Sequence, residues 1–498
     1  MAFVPEDEQL LWLSVFNCKA FNNFIGFFAG NVGGVQYEAG LIQKVPVPNM
    51  TSSDRAPLST LSKRAWSIRR SIDTHVETSH AFVLPAVLQI TGVTLLESTS
   101  TWAKYLFEAN CELFNIQEKI DDFSFNLYGL AEADRYGITE GLVRGGVSAS
   151  DEIEVKEDED NEDGDNLDNT ISLVGELLSW AFGCALGRFN LQQALGKEYV
   201  LPEYEPFAPL PICSPGVLQN TNGLPIEAQE VPSDYPLRIS WPGILVDDEG
   251  HKENIAGRVR EVIEVIWKDK AGDIEHEACE ILGVRSLRDY FGKPSGFFAE
   301  HLKRYSKSRR QAPIYWPLST PSGSYILWLY YHRLTDQTIY TCVMEYIEPK
   351  LRDVATELAN LRQKGSGRNR DDEKKLEKLQ DFETELQEFR DEPLRLTRLP
   401  WKPNLNDGVQ ITAAPLWKLF QLPKWKKTLK ENWEKLEKGD YDWAHLAYSI
   451  WPDRVKKKCV TDKSIAIAHD LEDLYVEPPA SAKKKRGKKT AVVEDEEE

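Results

Sequence analysis

The chain has 498 residues and carries 60 Lys and Arg against 79 Asp and Glu, for a net charge of −19. That length is too great for one core and predicts roughly three domains, while 14 Trp, 18 Tyr and 20 Phe supply ample apolar surface for packed interiors. No apolar run approaches the ~18 residues needed to span a bilayer, the start MAFVPEDEQLLWLSVF is acidic before it is apolar, the wrong order for a secretion signal, and seven scattered cysteines without a C-x-x-C pair argue against a disulfide scaffold or zinc ribbon.

The negative charge is concentrated. Residues 151–168, DEIEVKEDEDNEDGDNLD, hold eleven acidic side chains and one lysine, and the chain closes on EDEEE. Both read as solvated, disordered segments with too little apolar surface to fold. The remainder is close to neutral, which leaves room for local basic patches. A cytoplasmic protein is expected.

In chain order, Leu10–Phe28 has apolar residues at helical spacing. A glycine turn, Gly30-Asn31-Val32-Gly33-Gly34, leads to a strand over Gln36–Lys44 that stops at Val45-Pro46-Val47-Pro48. This looks like the last supersecondary unit of a domain, residues 1–50. Residues 51–147 read as helical, with a Ser62 cap and apolar-periodic runs over Ala81–Leu95 and Trp102–Ile120. The acidic insert occupies 148–170. A mixed lobe, 171–345, opens with the apolar helix Ile171–Asn190, whose Gly183 and Gly187, four apart, would admit another backbone closely. Two further helices are expected within GRVREVIEVIWKD and LRDYFGKPSGFFAEHLKRY.

Next comes the most distinctive segment, Arg309–Arg333, RRQAPIYWPLSTPSGSYILWLYYHR. Two aromatic strands, Ile314–Leu318 and Tyr325–His332, flank a Ser/Thr/Pro/Gly turn. A basic approach to an aromatic hairpin is one way to meet nucleic acid. However, Tyr325–Tyr331 is apolar on both alternating faces, the mark of a buried strand. The aromatics are therefore expected in a core, and the binding reading moves to the cations Lys303, Arg304, Lys307, Arg309, Arg310 and Arg333. A solvated helix end is the plain alternative for them.

Ile347, Leu351, Val354, Leu358 and Leu361 are spaced 4-3-4-3, a coiled-coil seam. Gly365-Ser366-Gly367 interrupts it before Leu376, Leu379, Phe382, Leu386 and Phe389 resume the stripe. An antiparallel coiled-coil hairpin over 346–392 is predicted, ending before Pro393. A helical closing segment, 393–460, and a disordered charged tail, 461–498, complete the chain. The fold class is α+β and helix-rich: several small lobes, one helical hairpin and one short aromatic β-hairpin.

Catalytic signatures are absent from the sequence. There is no Asn/Asp-Pro-Pro-aromatic tetrapeptide, which an amino-methyltransferase uses to accept the target amine's hydrogens and stack the flipped base, and no H-E-x-x-H, G-x-S-x-G or G-x-x-x-x-G-K-[ST]. Asp151, Glu154 and Lys156 mimic a nuclease set but lie in the acidic run. The eight histidines do not gather at ligand spacing, so no catalytic or metal residue is assigned.

Several phrases together resemble the C-terminal half of fused adenine-specific DNA methyltransferases. That family includes type IIG restriction–modification enzymes and the methyltransferases of BREX and DISARM phage-exclusion systems. AGNVGGVQYEAGLIQKVPVP looks like the closing strand of their target-recognition domain. LLSWAFGCALGRFN, SRRQAPIYWPLSTPSGSYILWLYYHRLT, YIEPKL, NLNDGVQITAAPL and DYDWAHLAYSIWPDRV follow in the same order, so the resemblance runs from about Phe16 to Cys459. Tyr37 and Lys44, in the first phrase, join the DNA-binding candidates.

In that family the S-adenosylmethionine domain and the Asn-Pro-Pro-Tyr active site lie upstream. The resemblance thus implies a chain that binds no cofactor itself, with S-adenosylmethionine on a missing catalytic half. Implied partners are double-stranded DNA, an upstream methyltransferase polypeptide and other defence-system subunits, and no membrane. Two alternatives accompany the DNA-clamping reading. One is a structural subunit docked through the helical hairpin and the glycine face of Leu173–Leu186. The other is a remnant whose Leu10–Phe28 would be an exposed apolar surface.

Overall fold

Apolar residues at three- and four-residue spacing make most of this chain helical, and the three-stranded sheet forms where short segments are apolar on both faces. The computed structural model describes residues 8–29, 39–90, 92–144, 162–196, 204–307 and 310–477. The glycine turn at 30–34, Tyr37, the nuclease-like Asp151–Lys156, Arg309 and the KKKRGKK tail lie outside them. The protein is α+β and helix-rich, with a three-stranded antiparallel sheet and a two-stranded ribbon among the described residues. It divides into two compact units, Met1–Trp241 with Glu253–Phe291 and Pro242–Lys252 with Gly292–Glu498. The stretch 171–345, expected as one lobe, is shared between them.

In the first unit, Leu10–Phe28 forms two helices, Gln9–Asn17 and Lys19–Ala29. Leu11, Val15, Phe21 and Ile25 are buried against Leu58 and Ile68 of the helix Ser52–Asp73 and Ile116 and Ile120 of the helix Leu95–Leu127. The segment is thus core rather than the exposed surface a remnant would present, although Phe27 and Phe28 at its end remain exposed. The strand expected over Gln36–Lys44 is not formed at Ala39–Ile42, which is a helical turn. Val45 N–H closes back on Ile42 O at 3.2 Å, so these residues bond locally instead of to a ladder partner.

Ser62 does not cap a helix. It lies inside Ser52–Asp73, buried, with its hydroxyl against that of Ser14. Thr51 and Asp54 form the capping box in its place, Thr51 N–H donating to Asp54 Oδ2 at 2.8 Å. The run Ala81–Leu95 supports only the turn Ala86–Gln89, because Pro85 and Gly92 bracket it. Trp102–Ile120 instead belongs to the 33-residue helix Leu95–Leu127.

The helix Glu162–Ala185 starts inside the segment expected to be a disordered insert. Its apolar half is the centre of this unit: Leu173, Val174, Leu177, Leu178, Trp180 and Phe182 are buried. Gly187 is not a second small residue on a helix face. It sits at φ 70° just past the end, where Arg188 N–H reaches Gly183 O at 2.8 Å and Gly187 N–H reaches Cys184 O at 2.9 Å, the glycine-terminated helix stop. The face proposed for partner docking is thus covered by this chain's own residues.

In the second unit, Ile244–Val246 (β1), Tyr315–Ser319 (β4) and Ile326–Tyr330 (β5) form a sheet in the order β1-β5-β4, all antiparallel. Tyr315 pairs with Tyr330 and Ser319 with Ile326. Every residue of β5 is buried, as its two-sided apolar pattern predicts. A two-stranded ribbon, Ser306–Lys307 (β2) and Arg310–Gln311 (β3), precedes β4.

The helices Glu348–Gln363 and Arg370–Arg398 form the predicted hairpin. Ile347, Leu351, Val354, Leu358 and Leu361 are buried along its seam. Ion pairs Lys364–Asp372, Lys375–Glu357 and Arg390–Glu348 run the two helices antiparallel. The second helix does not stop before Pro393 but continues five residues past it to Arg398. Packing outweighs the lost backbone bond: Pro393 and Leu396 are buried, and Glu392 is held by Arg395 at 2.8 Å and Lys418 at 3.2 Å.

Residues 461–477, expected in a disordered tail, are folded. Asp462 caps the helix Lys463–Ala468, Ala466 is buried and His469 Nε2 lies 2.7 Å from Asp442 O. The phrases NLNDG and DYDWAHL meet here. Asp407, 5% exposed, accepts 2.8 Å bonds from both His445 N–H and Leu446 N–H. Buried Asp442 accepts from Arg454 at 2.6 Å and Lys458 at 2.8 Å.

Candidate nucleic-acid interface

The aromatic hairpin cannot stack on bases. Tyr315, Trp316, Trp328 and Leu329 are all 1% exposed or less, and Trp316 Nε1–H is spent on Pro313 O at 2.8 Å. Its function is to hold what precedes it. The helix Phe297–Arg304 delivers Lys303 and Arg304 in its last turn, where cations suit the negative end of the helix. The chain then turns through Tyr305 into β2, which carries Lys307, and returns on β3, which carries Arg310.

His301 fixes this geometry and was not singled out by sequence pattern. Fully buried, its Nε2 accepts from Ile314 N–H at 2.9 Å and Tyr315 N–H at 3.1 Å. That geometry requires the unprotonated Nε2 of a neutral imidazole. The ring also stacks on Tyr315, centroid to centroid 4.8 Å, and lies 4.5 Å from the ring of Tyr305. The end of the helix and the start of β4 are thereby locked together on either side of the ribbon. From behind, Gln410 Nε2–H donates to Gln311 O at 2.9 Å and is itself positioned by Asn432 at 3.1 Å. No local periodicity marks His301 or Gln410. Each is recognisable only through partners 13 to 99 residues away.

Lys303, Arg304, Lys307 and Arg310 are brought together within one helix end and one ribbon. Lys303, Lys307 and Arg310 are exposed, and no ion pair engages their side chains among the described residues. Three exposed cations without ion pairs among the described residues make a local positive patch on a braced scaffold. Arg333 stands at the same end of the hairpin, since Tyr331 N–H bonds Ile314 O at 2.8 Å. It is half-buried, however, and burial lowers its pKa. It packs over the entry to β1, where Gly243 at φ +70° has no room for a side chain: an added Cβ would lie 2.6 Å from the Cβ of Arg333. Lys44 is exposed on a turn of the first unit.

The rest of the molecule offers no competing chemistry among the described residues. No group of three or more His, Cys, Asp or Glu is placed to hold a metal ion. No helix is long and apolar enough to cross a membrane. The seven cysteines are free; Cys111 is exposed, while burial pushes the thiols of Cys279 and Cys342 up to about 11 and about 12.

No family model matches the chain. Across 427 residues it is 22% identical to a protein of Escherichia coli O9:H4 (strain HS) described as adenine-specific methyltransferase BrxX. The alignment covers 80% of this chain and 32% of that protein. The chain is therefore a distant homologue of an adenine-specific methyltransferase, spanning about a third of its length.

Proposed function

We propose that this chain is a DNA-engaging portion of a site-specific adenine-N6 DNA methyltransferase of a phage-defence or restriction–modification system. The observation that carries the reading is the braced cationic ribbon, Lys303, Lys307 and Arg310, in a homologue of an adenine-specific methyltransferase. In this reading the cations neutralise phosphates and set the register of the duplex, a contact that positions without reading bases. Arg304 adds to the patch, and the helical hairpin acts as a rigid spacer. Methyl transfer falls to a catalytic half that supplies S-adenosylmethionine and an Asn-Pro-Pro-aromatic turn, because the sequence of this chain contains no such tetrapeptide. The partners are double-stranded DNA and that catalytic polypeptide, in the cytoplasm.

The test has two arms. Duplex DNA binding by the purified chain is expected to fall with salt at a log–log slope of about −2.7, or roughly 0.9 for each of three phosphate contacts. A salt-independent association would instead favour protein docking and sink the clamping role. Incubation with labelled S-adenosylmethionine and DNA is expected to give no transfer by the chain alone. Methylated adenine in that reaction would overturn the assignment of catalysis to a separate half.

A further inference from the structure

The first unit holds a cleft of about 530 Å³, within the size range of small-molecule sites. Its walls come from two helices, the segment between them and the loop that carries Tyr204. Trp66 and Arg70 lie on Ser52–Asp73, Trp102 and Tyr105 three apart on Leu95–Leu127, and Tyr204 enters from the connection beyond. The guanidinium of Arg70 sits 4.0 Å over the Tyr204 ring and 5.7 Å from that of Trp66. Trp102 and Tyr105 are 5.1 Å apart, centroid to centroid.

Trp66, Tyr105 and Tyr204 are only half-buried, unlike the sheet aromatics. Trp102 is 2% exposed and backs the cleft floor. At the rim stands Lys63, whose ion pair with Glu205 is loose at 3.4 Å and exposed.

We infer that this cleft binds an unstacked nucleobase of a single nucleic-acid strand. Flat aromatic faces and an aromatic-stacked guanidinium select a planar ring. Lys63 at the rim can take a flanking phosphate in place of Glu205. The inference is independent of the cationic ribbon, because every lining residue belongs to the first unit.

The test titrates the full chain into a single-stranded oligothymidylate carrying one 2-aminopurine, whose fluorescence is quenched when its ring stacks. The wild-type chain is expected to quench it. Tyr204→Ala, a change at a half-exposed position, is expected to weaken binding about tenfold or more, the usual loss for one stacking partner, with an unchanged thermal transition. If that variant unfolds, Arg70→Gln replaces it, with the same loss expected. Equal quenching by Tyr204→Ala, by the same strand in a duplex, or equally tight binding of free 2-aminopurine nucleotide would each overturn the inference.

Discussion

Reversing the charge at Lys307 and Arg310 together is expected to weaken duplex DNA binding on the order of a hundredfold. A hydrogen bond to a charged group contributes about 1.5–3 kcal/mol, and two such contacts are removed and made repulsive. Both side chains are exposed and unpaired among the described residues, so the fold should be untouched. Because the contacts are to phosphate, the loss should be uniform across DNA sequences, and the salt slope should shrink by about 2. Anisotropy titrations at several salt concentrations measure both quantities. Unchanged affinity, or a loss confined to one sequence, would remove the ribbon from the interface.

The largest stability effect is expected in the first unit, at Glu253. Its carboxylate is 6% exposed and pairs with Arg238 at 2.5 Å, Arg258 at 3.8 Å and the hydroxyl of Ser240. Arg258 is itself 1% exposed, bound to Glu261 and to the carbonyl of Arg238. Removing one member of a buried ionic group strands the other charge, at about 3–5 kcal/mol. Glu253→Ala should therefore lower the denaturation midpoint of the chain sharply, while Arg260→Ala, which removes an exposed guanidinium from half-buried Glu275, should have the much smaller effect of a surface pair, about 1 kcal/mol.

The pH dependence has a definite sign. Burial alone would raise the Glu253 pKa, but hydrogen bonds from Arg238 and Ser240 outweigh it and hold the carboxyl below its ordinary value. A depressed carboxylate contributes stability above its unfolded pKa of about 4.3, and that contribution fades as pH falls through the folded value. Denaturation between pH 7 and 3 should show this loss in the wild-type chain and a flatter profile in Glu253→Gln. Parallel profiles would mean the carboxylate is not linked to folding.

What could be read from the sequence was local. The seam Ile347–Leu361 and the aromatic hairpin each repeat a period within twenty residues, and both are present. What was missed depends on distant pairing. Strand β1 is three residues long and lies in a proline- and glycine-rich run, WPGILVDD, so only its ladder to β5 reveals it. Pro393 reads as a stop, yet tertiary packing carries the helix through it. Charge density hid the helix beginning at Glu162 and the turns after Thr461. At the interface the cations were legible as a cluster. The device that aims them, His301 with Gln410, was not, since an isolated histidine in an amphipathic helix looks like any other.

Asp407 carries one more consequence. The short helix His445–Ile450 has alanine at its N-cap position and no capping side chain of its own. Its first N–H groups are satisfied by a carboxylate 38 and 39 residues upstream. Its start signal is therefore non-local, and such contacts form late because the loop between them must close first. The helix His445–Ile450 is thus a dependent of the turn at Leu405–Asp407, whereas the helix Lys463–Ala468 keeps its own cap at Asp462.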